Sequence, residues 1–257
     1  QVIPAATAMM NEKTYGNYLA PKNILSSVYE GCQVPLDQGL QVELRYFAEL
    51  VTSPSTKNMI RTLFYGINEC NRVPKEMKDF TFNKVGVLGA GIMGHGIAYA
   101  CAKAGIQCVM KDTSEEAVNK GQEAIFKILD KSLQRGKSTP EKNAKIISHV
   151  HLTTTMEDLK DCDLIIEAVF EDSSLKSTVI KESDEVTKSG TIIASNTSTL
   201  PISGLAKSCK NNENFIGLHF FSPVNQMPLV EIIKGKNTSQ ETIDKCTSFV
   251  RKLGKTP

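Results

Sequence analysis

The stretch VGVLGAGIMGHGIAYA sets Gly89-x-Gly91-x-x-Gly94 where an apolar run gives way to a helical pattern, and few folds tolerate that junction. Each glycine meets a separate mechanical need, with a tight turn at Gly89, close approach of backbone to a pyrophosphate at Gly91, and helix-to-strand packing at Gly94. The helix N-terminus that follows favours phosphate charge. Glycines also serve ordinary turns, so the surroundings decide. The next strand, IQCVMKD, ends in Asp112, which lies 21 positions beyond Gly91. A carboxylate there hydrogen-bonds an adenosine ribose 2′-OH and repels a 2′-phosphate, which selects NAD over NADP. Lys111 beside it is the one feature that argues the other way. An acid near a helix start is the plainer reading of Asp112.

The rest of the chain from about residue 81 alternates in the same manner. KVGVLG, IQCVMKD, CDLIIEAV and GTIIAS read as strands, while GHGIAYACAKAG, SEEAVNKGQEAIFKILDKSLQRG and LKSTVIKESDEVTKSG read as helices between them. FIGLHFF and LVEIIKG add strands, and a helix follows from about Ser239 to Leu253. This order predicts an α/β fold: a Rossmann-type, doubly wound, mostly parallel sheet covered on both faces. Residues 1–80 read as helices only, in APKNILSSVYEG, PLDQGLQVELRYFAELV and SPSTKNMIRTLFYGINECNR. The second places Leu40, Leu44, Phe47 and Leu50 on one face. A polar stretch, VPKEMKDFTFN, loses the period and marks the boundary near residue 80, so 1–80 is expected to be a helical linker and 81–257 the nucleotide-binding domain.

Charged side chains inside apolar strands mark the chemistry. NFIGLHFFSPVNQMPLVEIIKG carries His219 and Glu231 in two segments that otherwise read as buried strand. An unpaired polar group in such a place costs on the order of a few kcal/mol, so the two are expected to pair. A carboxylate on one ring nitrogen fixes the imidazole tautomer, stabilises the imidazolium and leaves the other nitrogen free as a general base. Beside a nicotinamide cofactor, the natural reaction is removal of an alcohol proton by His219 as hydride leaves the carbinol carbon. Glu171 and Lys176, in IIEAVFEDSSLK, follow a strand at the sheet edge where ligands bind, and can be read as cofactor contacts or as solvated loop charges. ASNTSTLPIS is either turn chemistry or a set of donors facing the same crevice. Lys127, Lys131 and Arg135 are four apart on one helix, either a solvated face or an anion site. His95, His149 and His151 lack metal-ligand spacing and read as structural or surface residues; no metal is expected.

Composition narrows the partners. A formal net charge of +2, from 30 Lys+Arg against 28 Asp+Glu, gives no basic surface for nucleic acid. Small molecules become the default ligands. The seven cysteines show no CxxC spacing, which suggests reduced thiols in an intracellular compartment. No apolar run reaches the roughly 18 residues of a membrane span.

Taken together, VGVLGAGIMGHGIA, IIEAVFED, ASNTSTLPIS, GLHFFSPVNQMPLVEII and GKTP resemble the L-3-hydroxyacyl-CoA dehydrogenase part of the multifunctional fatty-acid β-oxidation α subunit. Residues 1 to about 80, with SSVYEG and SPSTKNMIRTLF, resemble the helical segment joining its enoyl-CoA hydratase domain to the dehydrogenase. The resemblance implies NAD-dependent oxidation of L-3-hydroxyacyl-CoA to 3-ketoacyl-CoA, with His219 as catalytic base and Glu231 as its partner. It also implies that Ser198 hydrogen-bonds the substrate oxygen near the nicotinamide. Cofactor contacts are then expected at Gly89, Gly91, Met93, Gly94, Asp112, Glu171, Lys176, Ser198 and Ser222. Ser222 stands where many relatives have the asparagine of HFFNP, and its hydroxyl is shorter. The family's hydratase core and C-terminal helical domain are expected outside this chain, and its partners are the 3-hydroxyacyl-CoA substrate, a second copy and a thiolase β subunit. A bacterial-type cytoplasmic setting is implied, with mitochondria as the alternative. Two other functions stay open: an NAD-dependent dehydrogenase of small β-hydroxy acids, and a dinucleotide-binding structural protein without turnover.

Overall fold

Local sequence signals build the elements of this protein in two separate compact units, the first ending at Glu69 and the second running Cys70–Pro257; the computed structural model describes residues 2–257. The first is helical: α1 (Val2–Thr14), α2 (Leu19–Gly31), α3 (Leu36–Thr52) and α4 (Pro54–Met59), continued by a π-helical stretch, Ile60–Gly66, and α5 (Ile67–Cys70). α2 and α3 approach closely because both carry glycine at the crossing; a Cβ on Gly39 would lie 3.3 Å from the Gly31 carbonyl. Asn23 is buried there and donates to Glu49 Oε2 at 2.9 Å. The apolar face expected on α3 is present but uncovered within this unit, with Leu40, Leu44 and Phe47 all more than half exposed.

In the second unit the strands are β1 (Lys84–Leu88), β2 (Gln107–Lys111), β3 (Val150–Thr153), β4 (Leu164–Glu167), β5 (Ile192–Ser195), β6 (Phe215–Phe220) and β7 (Val230–Lys234). They form one seven-stranded sheet in the order β3-β2-β1-β4-β5-β6-β7. All neighbours run parallel except β6 and β7, which are antiparallel. The order reverses direction between β1 and β4, and ligands of open α/β sheets bind at such a switch point. The six parallel strands thus bring their C-terminal ends to one edge of the sheet.

Helices cover both faces: α6 (Ile92–Lys103), α7 (Glu115–Gln134), α8 (Pro140–Ile147), α9 (Ser173–Val186), α10 (Ile202–Leu205) and α11 (Gln240–Lys252). Several begin on the hydroxyl or carboxylate cap their sequences offer: Ser114 accepts from Ala117 N, Asp172 from Leu175 N, and Ser239 from Thr242 N. Two apolar clusters result. One gathers Val85, Val87, Ile97, Ile125, Phe220 and Phe249; the other gathers Leu88, Ile165, Ile180, Ile193, Ile202 and Phe215. Adjacent residues of β1 enter opposite clusters, as a strand buried on both faces requires.

Three features differ from the sequence reading. β3 and α8 lie in a segment given no element, since VHLT places His151 in an edge strand with only Thr153 buried. α1 likewise gives no clear signal, having a weak apolar stripe and no buried residue. The unit boundary falls at Glu69/Cys70 rather than near residue 80, because VPKEMKDFTFN packs into the second core. Phe82 is buried edge-on against Phe80 and Phe249, and Ser248 Oγ donates to the Met77 carbonyl.

Candidate active site

The glycines of the β1–α6 turn divide by what occupies the space beside them. Gly89 has φ +99°, and a Cβ there would come within 2.7 Å of the Ala168 carbonyl. A Cβ on Gly94 would lie 1.7 Å from the Gly89 carbonyl, so the helix can start against the strand only if position 94 has no side chain. Gly91 is different, because a Cβ there would meet no protein atom within 4 Å. Nothing in the fold itself requires glycine at 91, and the open space there leaves the backbone accessible to a ligand. Met93 is half-buried against the core of α6.

Asp112 closes this turn from β2. Its Oδ2 accepts from Ala90 N and its Oδ1 from Thr113 N, each at 2.7 Å. Oδ1 also accepts from Thr113 Oγ1 at 3.3 Å, which leaves Oδ2 with lone-pair capacity for a further donor. The carboxylate forms part of a cleft of about 290 Å³ with Gly89, Gly91, Val169, Phe170 and Val179. An apolar cleft with one carboxylate at its rim suits a base and its ribose, so the residues present fit NAD.

The C-terminal ends of β4 and β5 carry a buried ionic network. Glu167 is fully buried, and its Oε1 accepts from Lys176 Nζ at 2.7 Å and from Val169 N at 2.8 Å. Its Oε2 accepts from Ser195 Oγ at 2.6 Å. Lys176, 1% exposed, also donates to the Val169 carbonyl and lies 3.2 Å from Glu171 Oε2. Glu171 Oε1 in turn accepts from Ser198 N at 3.1 Å, Thr199 N at 3.3 Å, Thr199 Oγ1 at 3.2 Å and Thr197 Oγ1 at 2.5 Å. Partial burial pushes the Glu171 carboxyl up, but the hydrogen bonds from Thr197 and Lys176, the Lys176 charge and the Ser198 amide outweigh it and bring it down to about 2. Glu171 is therefore a fixed carboxylate that gathers the 197–199 turn, with Ser198 exposed on it. Lys176 sits buried beneath Glu171 and is therefore not the solvated loop charge that its sequence context allows. Glu167 is absent from the sequence-derived candidates, although a carboxylate inside LIIEAV is the same signal that singles out His219.

His219 and Glu231 are directly opposed in the antiparallel β6–β7 register. The Nδ1–Oε2 distance is 2.8 Å. Burial differs from expectation. The His219 side chain is 18% exposed, but Glu231 is 49% exposed, since β7 is an edge strand with one side open to solvent. The case for chemistry consequently rests on geometry: Nδ1 is held by a carboxylate while Nε2 makes no hydrogen bond among the described residues. Phe221 flanks the imidazole, ring centres 4.5 Å apart. Ser222 is exposed just beyond, on a loop with a cis Ser222–Pro223 bond. Asn196 Oδ1 accepts from Phe220 N at 2.8 Å and so ties the Ser198 turn to the strand that carries His219.

Other candidates lie elsewhere. Lys127, Lys131 and Arg135 are all exposed on or just after α7. His95 and His149 each bond through Nδ1 to a carbonyl four residues earlier, and His151 lies 3.7 Å from Asp158. Among the described residues no helix is long and apolar enough to cross a membrane.

Comparison with known proteins identifies the family and the fold. Residues 84–257 match the family "3-hydroxyacyl-CoA dehydrogenase, NAD binding domain". The chain is 40% identical over 264 aligned residues to the fatty acid oxidation complex subunit alpha of Shewanella sp. (strain W3-18-1), covering 100% of this chain and 36% of that protein. The counterpart in Shewanella putrefaciens is 39% identical with the same coverage. The chain thus spans about a third of the length of these curated relatives. Among solved structures, (S)-3-hydroxybutyryl-CoA dehydrogenase PaaH1 from Ralstonia eutropha is 40% identical with a TM-score of 0.68, covering 69% of this chain and 62% of that one. The 3-hydroxybutyryl-CoA dehydrogenase of Escherichia coli K12 is 33% identical with a TM-score of 0.68, covering 69% and 38%.

Proposed function

Since the chain belongs to the family of 3-hydroxyacyl-CoA dehydrogenase NAD binding domains, we propose that it carries the catalytic half of an NAD-dependent L-3-hydroxyacyl-CoA dehydrogenase of fatty-acid β-oxidation. The observation that carries this reading is the His219–Glu231 pair at the C-terminal end of β6, on the sheet edge where the Gly89–Gly94 turn opens. NAD, when bound, supplies the hydride acceptor. Gly89, Gly91, the amides that open α6 and Asp112 would hold it, with Asp112 taking the ribose hydroxyl.

The chain's own residues handle the proton. His219 Nε2 accepts the 3-hydroxyl proton, and Glu231, bonded to Nδ1, stabilises the imidazolium that forms. Because Glu231 is half in water, its support of the charge is weaker than that of a buried carboxylate. Ser198, on the turn held by Glu171, offers a hydroxyl to the substrate oxygen. Glu171 and Lys176 act on the cofactor side chiefly by fixing that turn. Ser222 takes the position of the family's asparagine with a shorter reach. The linker role of the helical unit, pairing with a second copy and with a thiolase β subunit, and a bacterial cytoplasmic setting belong to the same reading.

The test is NADH oxidation by the full natural protein with acetoacetyl-CoA, beside titrations with NADH and NADPH. Turnover with NADH and much weaker binding of NADPH is the expected result. Folded protein that binds neither cofactor would overturn the reading, and preference for free 3-keto acids over the thioester would redirect it to small β-hydroxy acids.

A further inference from the structure

The motif GKTP, residues 254–257, has no part in the chemistry above, yet its lysine occupies a constrained place. Lys255 Nζ donates to the carbonyls of Val224 and Met227, both at 2.6 Å. Both acceptors belong to the loop that leads from His219 on β6 to Glu231 on β7. The backbone of the same segment joins it: Thr256 N donates to the Pro228 carbonyl at 2.7 Å, and Val230 N donates to the Thr256 carbonyl at 3.0 Å. Val224 is buried against α6, where a Cβ on Gly96 would come 2.8 Å from Val224 Cβ. The loop is therefore held at three points, by a notch on α6, by backbone pairing with Thr256 and by an ammonium.

That ammonium has an unusual environment. It makes no ion pair with a carboxylate among the described residues; its partners are neutral carbonyls. Burial, with a further push from the Lys103 charge, lowers its pKa. A half-buried cation kept at that cost, with two of its three donors spent on one loop, acts as a clip on otherwise unpaired carbonyls.

We propose, on the basis of the dehydrogenase reading, that Lys255 is a positioning residue: by clamping the Val224 and Met227 carbonyls it holds the loop that presents Ser222 and Glu231 to His219. Its effect falls chiefly on the proton-transfer side, because the cleft formed by Gly89, Gly91 and Asp112 has no residue from this loop and Ser222 is the one expected cofactor contact on it.

The experiment compares Lys255→Met and Lys255→Arg with wild type in the full natural protein. For Lys255→Met, kcat with acetoacetyl-CoA should fall by roughly 10–100-fold, the usual scale for slight misplacement of reacting groups. The NADH dissociation constant should change far less than kcat, since of the expected cofactor contacts only Ser222 lies on this loop. Lys255→Arg keeps charge and donors and should recover much of the lost turnover. Amide exchange at Gln226, Met227 and Val230 should quicken in Lys255→Met while Ile166 and Leu218 stay protected. Unchanged kcat, unchanged loop exchange, or exchange raised throughout the sheet would each overturn the proposal, the last by showing a fold defect in place of a local clamp. Wild type without turnover would instead overturn the dehydrogenase reading and the positioning role with it, while the exchange arm would still report separately on the clamp.

Discussion

Replacing Lys176 by methionine removes a cation from a site where its partner cannot reach water. The methionine fills most of the same volume, so packing changes little and electrostatics dominate. Glu167 has no exposure, and of its contacts only the Val169 amide and the Ser195 hydroxyl remain. Removing one member of a buried ion pair costs about 3–5 kcal/mol, because the other charge is left uncompensated. The two surviving hydrogen bonds argue for the lower part of that range. At about 2–4 °C per kcal/mol for a domain of this size, the melting temperature should drop by roughly 6–20 °C. Glu167→Gln/Lys176→Met, which leaves no buried charge, should recover a substantial part of the loss. Denaturant titrations of the three proteins at neutral pH provide the measurement. A cost below about 1 kcal/mol for Lys176→Met would refute the reasoning, since it would mean that Glu167 is solvated or neutral without its partner. The same variant should loosen Glu171 and hence the 197–199 turn, so NADH binding or turnover should weaken in samples held well below their melting temperature.

Other outcomes follow from single distances. Gly91→Ala should fold with wild-type stability, because its Cβ meets no protein atom, yet bind NADH more weakly; Gly94→Ala, whose Cβ would lie 1.7 Å from a carbonyl, should be strongly destabilised. Equal NADH affinity in Gly91→Ala and wild type would remove the pyrophosphate from that turn. His219→Ala should lower kcat by roughly 10²–10⁴-fold at little cost in NADH affinity, and near-normal turnover would end its assignment as base. For Glu171, the folded-state pKa of about 2 lies below the ordinary 4.5, so its bonds add stability above about pH 4.5 and lose it as pH falls toward 2. The stability gap between wild type and Glu171→Gln should therefore close over that window in acid denaturation, and a gap independent of pH would contradict the assignment.

Much of the fold is legible in the sequence because two independent signals coincide. The glycine turn and the acid 21 positions on each have ordinary explanations, but strand and helix alternation places both on one sheet edge, and the structure joins them through the Ala90–Asp112 hydrogen bond. What the sequence hides is set by tertiary context. Phe80 and Phe82 lie in a polar segment with no periodicity, and only contact with α11 draws them into the core. β3 is an edge strand, which relaxes the demand for apolar residues that makes the central strands readable.

The charged residues show the same dependence more sharply. A charge within an apolar run reports that something unusual must compensate it, but not whether the compensation is water, a cation or a ligand. At Glu231 it is water together with His219, because β7 is the last strand and one side lies open. At Glu167 it is Lys176, nine residues on and brought back by the first turns of α9. One signal thus marks the pair proposed for proton transfer and a pair that holds a turn in place. The sheet order separates them: the edge pair keeps Nε2 available, whereas the central pair, on β4 between β1 and β5, has every strong donor and acceptor engaged. On the proposed function, chemistry falls to the incompletely satisfied pair, and rigidity to the satisfied one.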